Sequence, residues 1–156
     1  MPDLIFAQTT EEYAAAARLF KEYAGWLNID LCFQNFDEEL EQLDLMYALP
    51  TGGIILFKEN NNYIGCVGIR KRDVATCEMK RMWIQPAHQG KGLGDVLLTE
   101  AIKLAATCGY QKILLDTLNH MKPAIELYKK HKFYEIPPYY NNPDPRAVYF
   151  EKLLGA

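Results

Sequence analysis

Between residues 89 and 94 the chain reads Gln89-Gly90-Lys91-Gly92-Leu93-Gly94, three glycines at alternate positions set between a strand-like run and a helix-like run. Without Cβ atoms the backbone can curl tightly and let an anion approach its amide N–H groups. The first turn of the following helix, Leu93, Gly94 and Asp95, adds unpaired donors and the positive end of the helix dipole. This combination suits a pyrophosphate, with Lys91 adding a positive charge and Gln89 bracing the loop. Two other phosphate-binding patterns fail. A dinucleotide fingerprint needs a third glycine where Asp95 stands, and a P-loop needs Ser or Thr after Lys91, where Gly92 stands. A plain turn before a helix is the alternative reading.

The rest of the chain falls into an ordered series. Leu4 to Ala7 is strand-like. Thr9 and Glu12 form a capping box for a helix whose Tyr13, Ala16, Ala17, Phe20, Ala24 and Leu27 recur at helical spacing. A short helix follows Phe36, with Leu40, Leu43 and Tyr47 on one side and Asp37, Glu38, Glu39 and Glu41 expected in solvent. Ile54 to Lys58 and Tyr63 to Lys71 flank an Asn turn and predict a hairpin. Cys77 to Gln85 is a strand of interrupted alternation. Leu93 to Cys108 is an amphipathic helix stopped by Gly109. Lys112 to Leu118 has the apolar density of a buried strand. Pro123 opens a further helix, and Phe133 to Ile136 and Ala147 to Leu153 are the last strands. The predicted fold class is α/β: a mixed, mostly antiparallel sheet of about six to seven strands with about four helices on its faces.

The 156 residues, 49% hydrophobic, suit one domain (1–156) with a full core. A net charge of −3 argues against a nucleic-acid partner, which would need a basic face. No apolar run is long enough to span a membrane, and the N-terminus lacks a basic-then-apolar signal pattern. The four cysteines, Cys32, Cys66, Cys77 and Cys108, form no CxxC pair, and with His88, His120 and His131 they give no zinc spacing. A reduced, cytoplasmic protein without a metal is expected.

The chain resembles the GCN5-related N-acetyltransferases. Gln89, Gly92 and Gly94 meet that family's Gln/Arg-x-x-Gly-x-Gly/Ala signature between the fourth strand and third helix. Ala124-Ile125-Glu126-Leu127-Tyr128, continuing to Phe133, is close to its second segment, Ala-x-x-Leu-Tyr-x-x-x-Gly-Phe. Lys132 stands where the family usually has Gly, and Met121 where it often has Asn; Asn119, two residues earlier, is the substitute the chain offers. The resemblance implies an acyl-CoA N-acyltransferase fold with acetyl-CoA as co-substrate. The coenzyme would be held by Gln89 to Asp95, by Asn119, and by the backbone of Met82, Trp83 and Ile84, where the fourth strand splays from the fifth.

It also implies transfer of an acetyl group to an amine. A base must take a proton from the amine before it attacks, and the departing thiolate benefits from an acid. Tyr128 matches the family's tyrosine acid. Glu78, on the fourth strand, and Asp116, in the run Ile113-Leu114-Leu115, are the candidate bases, with burial expected to raise a carboxylate pKa; an ordered water is the third option. Cys66, Cys77 and Cys108 have no histidine nearby in sequence, which speaks against a covalent route.

The loop from Pro137 to Arg146 is rich in proline and tyrosine. Tyr139 and Tyr140 read either as an acceptor wall or as cover for the core edge, with Arg146 available to an acceptor carboxylate. Arg70, Lys71, Arg72, Lys80 and Arg81 read as a solvated basic patch. The acceptor expected is a small-molecule amine. The alternatives are a protein N-terminal or lysine acetyltransferase, a non-catalytic acetyl-CoA sensor, and a domain binding another nucleotide. Acceptor identity, acyl length and oligomeric state stay open, a homodimer among the options.

Overall fold

Asn60 and Asn61 take left-handed backbone angles, φ 50° and 68°, a conformation that an Asn pair tolerates in a tight hairpin turn. They join β2 (Gly53–Glu59) to β3 (Asn62–Lys71) in antiparallel register. β1 (Asp3–Phe6) pairs with β2 on the outer side and β4 (Thr76–Ile84) with β3 on the inner. β5 (Lys112–Leu118) runs parallel to β4; β6 (Tyr134–Ile136) and β7 (Ala147–Leu153) complete a seven-stranded sheet in the order β1-β2-β3-β4-β5-β7-β6. The computed structural model describes residues 2–28 and 35–155; Cys32 lies outside them. Among the described residues, the sheet is mixed and mostly antiparallel, as predicted.

α1 (Thr10–Leu27) starts on the expected capping box: Thr9 Oγ1 accepts from the Glu12 N–H at 3.1 Å, and Glu12 Oε1 accepts from the Thr9 N–H at 3.0 Å. Its buried stripe is centred on Ala15, Ala16, Leu19 and Phe20, a partial turn away from the stripe the spacing suggested. The single short helix predicted after Phe36 is two, α2 (Phe36–Glu41) and α3 (Leu43–Met46), broken at Gln42. α4 (Leu93–Thr107) stops where Gly109 turns left-handed at φ 90°, and α5 (Lys122–Lys130) has Pro123 in its first turn.

Side chains alternate across a strand, so Ile54 and Ile55 enter opposite cores. Ile54 and Leu56 pack with Leu19, Phe20 and Tyr47 on the face covered by α1 and α3. Ile55 and Phe57 pack with Leu97, Leu98, Ile113 and Phe150 on the α4 face. A fully buried aliphatic or aromatic side chain of this kind contributes roughly 1.5–3 kcal/mol. Burial on both faces explains why these strands read as continuous apolar runs.

Two irregularities of β4 shape the middle of the sheet. Cys66 pairs with Trp83 but Gly68 pairs with Lys80, so β4 carries one extra residue, and Arg81 within that bulge has φ 60°. This is the interrupted alternation seen in the sequence. The bulge turns consecutive Lys80 and Arg81 to the same side, Arg81 toward Glu39 of α2 and Lys80 toward the Tyr140 ring. Further, β4 pairs with β5 only from Thr76 to Glu78, against Lys112 to Leu114. Beyond that point the two strands part and leave a slot.

Opposite the bulge, Gly68 gives Tyr47 its place: a Cβ there would lie 2.6 Å from Tyr47 Cε1 and 2.9 Å from Cδ1. Tyr47 is fully buried between sheet and helices, so it has no room to retreat. Gly68→Ala is expected to destabilise the chain by about 2 kcal/mol through overpacking, measured by denaturant unfolding; unchanged stability would show that Tyr47 repacks.

Candidate active site

The slot between β4 and β5 is lined by Tyr23 of α1, Lys80 and Met82 of β4, Asp116 of β5, Tyr128 of α5, and Asn142 of the loop after β6. Parallel strands that have parted expose edge N–H and C=O groups to whatever enters. Met82 lines the slot directly. The Trp83 side chain turns away to α1, stacking on Trp26 at 5.2 Å between ring centroids and donating to Glu22 Oε1 at 3.3 Å. Ile84 packs in the α4-side core. At these two positions it is the backbone that remains for a ligand.

The glycine loop follows β4 through a 3-10 turn, Pro86–His88. Gln89 Nε2 donates to the Ile84 carbonyl at 2.8 Å and braces the loop, as its position suggested. Gly90 and Gly92 take φ 77° and 81° with nothing within 4 Å of a Cβ built there, whereas Gly94 faces Leu127 of α5. Helix α4 closes its first backbone bond with the Val96 N–H, to Gly92 O at 3.4 Å. The amides of residues 90 to 95 therefore have no backbone acceptor among the described residues, and they suit the two negative charges of a pyrophosphate. Lys91 is exposed beside them. Asp95 is engaged elsewhere: it accepts from Lys130 Nζ at 2.7 Å and bonds His131 Nε2 at the end of α5, and these bonds hold its carboxyl below the usual range. Asn119, at the end of β5, donates its backbone N–H to Arg146 O at 2.8 Å.

Tyr128 is buried at 6% exposure, with Phe133 and Phe150 beside its ring. Burial, with Tyr23 and Asp116 nearby, pushes its hydroxyl pKa well up, so the group keeps its proton. Asp116 Oδ2 accepts from Tyr140 Oη and, at 2.9 Å, from Asn142 Nδ2. Glu78 differs. Its side chain does not line the slot, and it receives Arg70 Nε and Nη2 at 3.3 Å and Tyr139 Oη at 2.9 Å. Burial raises its pKa, but Lys80, Arg70, the Tyr139 bond and Arg72 together outweigh burial and lower it. The expectation that burial would raise the pKa fails for Glu78 because cations surround it.

Only part of the basic patch is a solvated face: Lys71 and Arg72 are exposed and Arg70 is partly buried. Lys80 and Arg81 are 5% and 6% exposed. Burial first, and then the charge of Arg81, lower the Lys80 pKa to about 8 against the opposing pull of Glu78 and Asp116. Arg81 pairs with Glu39 rather than with either candidate base. Glu39, expected in solvent, is 1% exposed because that pairing draws it under the sheet. Tyr139 and Tyr140 fold over the carboxylates, their rings in contact with each other and with Tyr149, and Arg72 stacks on Tyr139 at 4.7 Å. Arg146 is turned to Asp144 of its own loop, with bonds of 3.0 and 2.8 Å. Sequence reasoning missed Tyr23, Glu39 and Asn142 as parts of this site. Only Asn142, two residues from Tyr140, lay near a flagged position. Cys66 and Cys77 are buried, and desolvation pushes the Cys77 thiol up to about 12 and Cys66 higher still, which leaves them poor nucleophiles. No group of three His, Cys, Asp or Glu among the described residues could hold a metal, and no helix among them is long and apolar enough to cross a membrane.

Residues 20–133 match the family described as "Acetyltransferase (GNAT) family". An uncharacterized N-acetyltransferase of Schizosaccharomyces pombe is 38% identical over 133 residues, spanning 84% of this chain and 82% of that relative. An acetyltransferase from Streptococcus agalactiae superposes with a TM-score of 0.81 at 21% identity, covering 97% of this chain and 98% of the other. A GNAT-family acetyltransferase from Staphylococcus aureus gives 0.81 at 18% identity, with 99% of each chain covered.

The electrostatics of Glu78 can be read from stability. A carboxyl with a depressed folded-state pKa contributes stability above its unfolded pKa and loses it as pH falls through the folded value. Glu78→Gln is expected to cost about 2 kcal/mol at pH 7, with the gap closing as pH drops below the ordinary glutamate value of 4.5. Urea unfolding of both chains between pH 3 and 7 reads this directly, and a gap independent of pH would mean that Glu78 is not held ionised by its neighbours.

Proposed function

The chain belongs to the GNAT acetyltransferase family, and from that premise we propose that it transfers an acetyl group from acetyl-CoA to a primary amine of a small molecule. The observation that carries the reading is the slot. Its walls bring Asp116 and Tyr128 together, and one of its strands, β4, runs on through a 3-10 turn into the glycine loop, whose amides from Gly90 to Asp95 have no backbone acceptor among the described residues. The pyrophosphate lies on the glycine loop, beside Lys91. The pantetheine arm runs along the exposed edge of β4 at Met82, Trp83 and Ile84 and brings the thioester between the two strands.

Asp116, rather than Glu78, is the base in this reading. It lines the slot, whereas Glu78 is bound to Arg70 and Tyr139 outside it. Tyr140 and Asn142 hold one Asp116 oxygen, and the other takes a proton from the acceptor ammonium. The neutral amine then attacks the thioester carbonyl, whose oxygen is met by β4 backbone N–H groups. The C–S bond breaks, and Tyr128, which keeps its proton in the resting protein, gives it to the departing thiolate, while the second proton lost by the nitrogen as it becomes an amide restores the phenol. No protein nucleophile is needed; alignment of the two substrates supplies much of the rate. The tyrosine loop supports a small acceptor, because Tyr139 and Tyr140 close over the acceptor side and are tied down by Glu78 and Asp116.

Release of free thiol from acetyl-CoA across a panel of small primary amines is the test. Tight coenzyme binding without turnover of any amine would overturn transfer in favour of a sensing role. Tyr128→Phe is expected to lower kcat by about 10²-fold with little change in coenzyme affinity, and Asp116→Asn to do the same. Gly92→Asp, which sets a carboxylate among the open amides, is expected to weaken acetyl-CoA binding by more than about tenfold in calorimetry; unchanged binding would remove the glycine loop from the site.

A further inference from the structure

Glu39 is nearly inaccessible, yet its helix, α2, has only six residues, and Asp37 and Glu38 beside it are not buried. Its partners come from elsewhere. Oε1 accepts from Arg81 Nη2 at 2.9 Å and Oε2 from Arg81 Nε at 3.2 Å; Tyr47 Oη donates to Oε2 at 3.1 Å, and Arg70 Nη1 stands 3.8 Å from Oε1. The Phe36 ring lies 5.1 Å from the guanidinium. Arg81 is therefore gripped in the planar, two-point manner that carboxylate and guanidinium geometry favours.

Arg81 is also where β4 leaves its ladder. Its φ of 60° is a conformation that side chains bearing a Cβ rarely adopt, and one that persists where the surroundings over-determine it. Two elements do so here. Glu39 of α2 fixes the side chain, and Cys66 of β3 donates its thiol to the Arg81 carbonyl at 3.3 Å. Stability alone does not call for such a pair, since a buried ion pair can often be replaced by apolar residues without loss. What it specifies is one backbone path.

We propose that Glu39 is a positioning residue: by anchoring Arg81 it holds the β4 bulge in the left-handed conformation that presents the backbone of Met82 to Ile84 to the slot, and so sets coenzyme affinity. This rests on the reading above in which that stretch of β4 takes the pantetheine arm. Glycine adopts this φ without steric cost, so a glycine at position 81 needs no anchor. A purely stabilising ion pair would show no such rescue.

The test is acetyl-CoA binding by calorimetry, with thermal unfolding alongside. Glu39→Gln and Arg81→Ala are each expected to weaken binding by about tenfold, the ratio equivalent to about 1.4 kcal/mol of lost preorganisation. The double variant Glu39→Gln/Arg81→Gly is expected to bind within about threefold of the unaltered chain although it melts lower, because glycine keeps the bulge unaided. If either single variant fails to fold, Glu39→Gln/Arg81→Gly is compared with Glu39→Gln/Arg81→Ala, and only the glycine variant should bind well. Equal affinity of the two doubles, or undiminished binding by Arg81→Ala, overturns the proposal. Failure of the unaltered chain to bind acetyl-CoA overturns the slot reading as well, and so is distinguishable from either.

Discussion

Two parallel strands that begin as neighbours and then separate cannot satisfy each other's backbone groups. Past Glu78 and Leu114 the facing edges of β4 and β5 lose their ladder, and the N–H and C=O groups there must meet water or a ligand. The rest of the molecule is arranged about that break. The bulge at Arg81 re-aims β4 as it leaves, and α4 and α5 cover one face, α5 bringing Tyr128 to the gap. α1, α2 and the tyrosine loop cover the other face, over Asp116 and Lys80.

The charges follow the same geography. Glu39 with Arg81, Glu78 with Arg70, and Lys80 near Asp116 all lie toward the face bearing α1–α3 and the tyrosine loop, close to the slot. Removing such groups from water is expensive, and a fold that needed only stability could use apolar residues instead. Here the acids and bases offset one another. Their hydrogen bonds fix side-chain directions, as where Tyr139 and Tyr140 each donate to a different carboxylate. The carboxylate that lines the slot is held at one oxygen, and the one outside it is gripped by cations. That difference separates Asp116 from Glu78 more clearly than burial does.

Much of the architecture was legible in the sequence because its signals are local. The Thr9–Glu12 box, the Asn turn, Gly109 and Pro123 mark element ends through backbone chemistry within a few residues. The Gln89 to Gly94 run marks the turn between β4 and α4 for the same reason. The break at Gln42 has no Gly or Pro to announce it. Glu39 and Arg81 lie 42 residues apart, and no spacing rule joins them; in an acidic helix Glu39 reads as one more solvated charge. Left-handed φ is expected of Gly or Asn, so an arginine adopting it is invisible beforehand, and the bulge showed only as imperfect alternation. Arg146 turns to Asp144, a partner that a bend of the same loop supplies and that no residue spacing announces.

The bond from Asp95 to Lys130 and His131 ties the opening turn of α4 to the closing turn of α5. Tyr128 lies two residues before Lys130, so the open amides at the head of α4 and the phenol in the slot wall share one brace. The brace sits at the surface, where dissolved ions screen charges beyond about 8 Å at physiological strength and weaken exposed pairs. Ionic strength thus acts on the stiffness of the join between these two helix ends, with no change in the buried core.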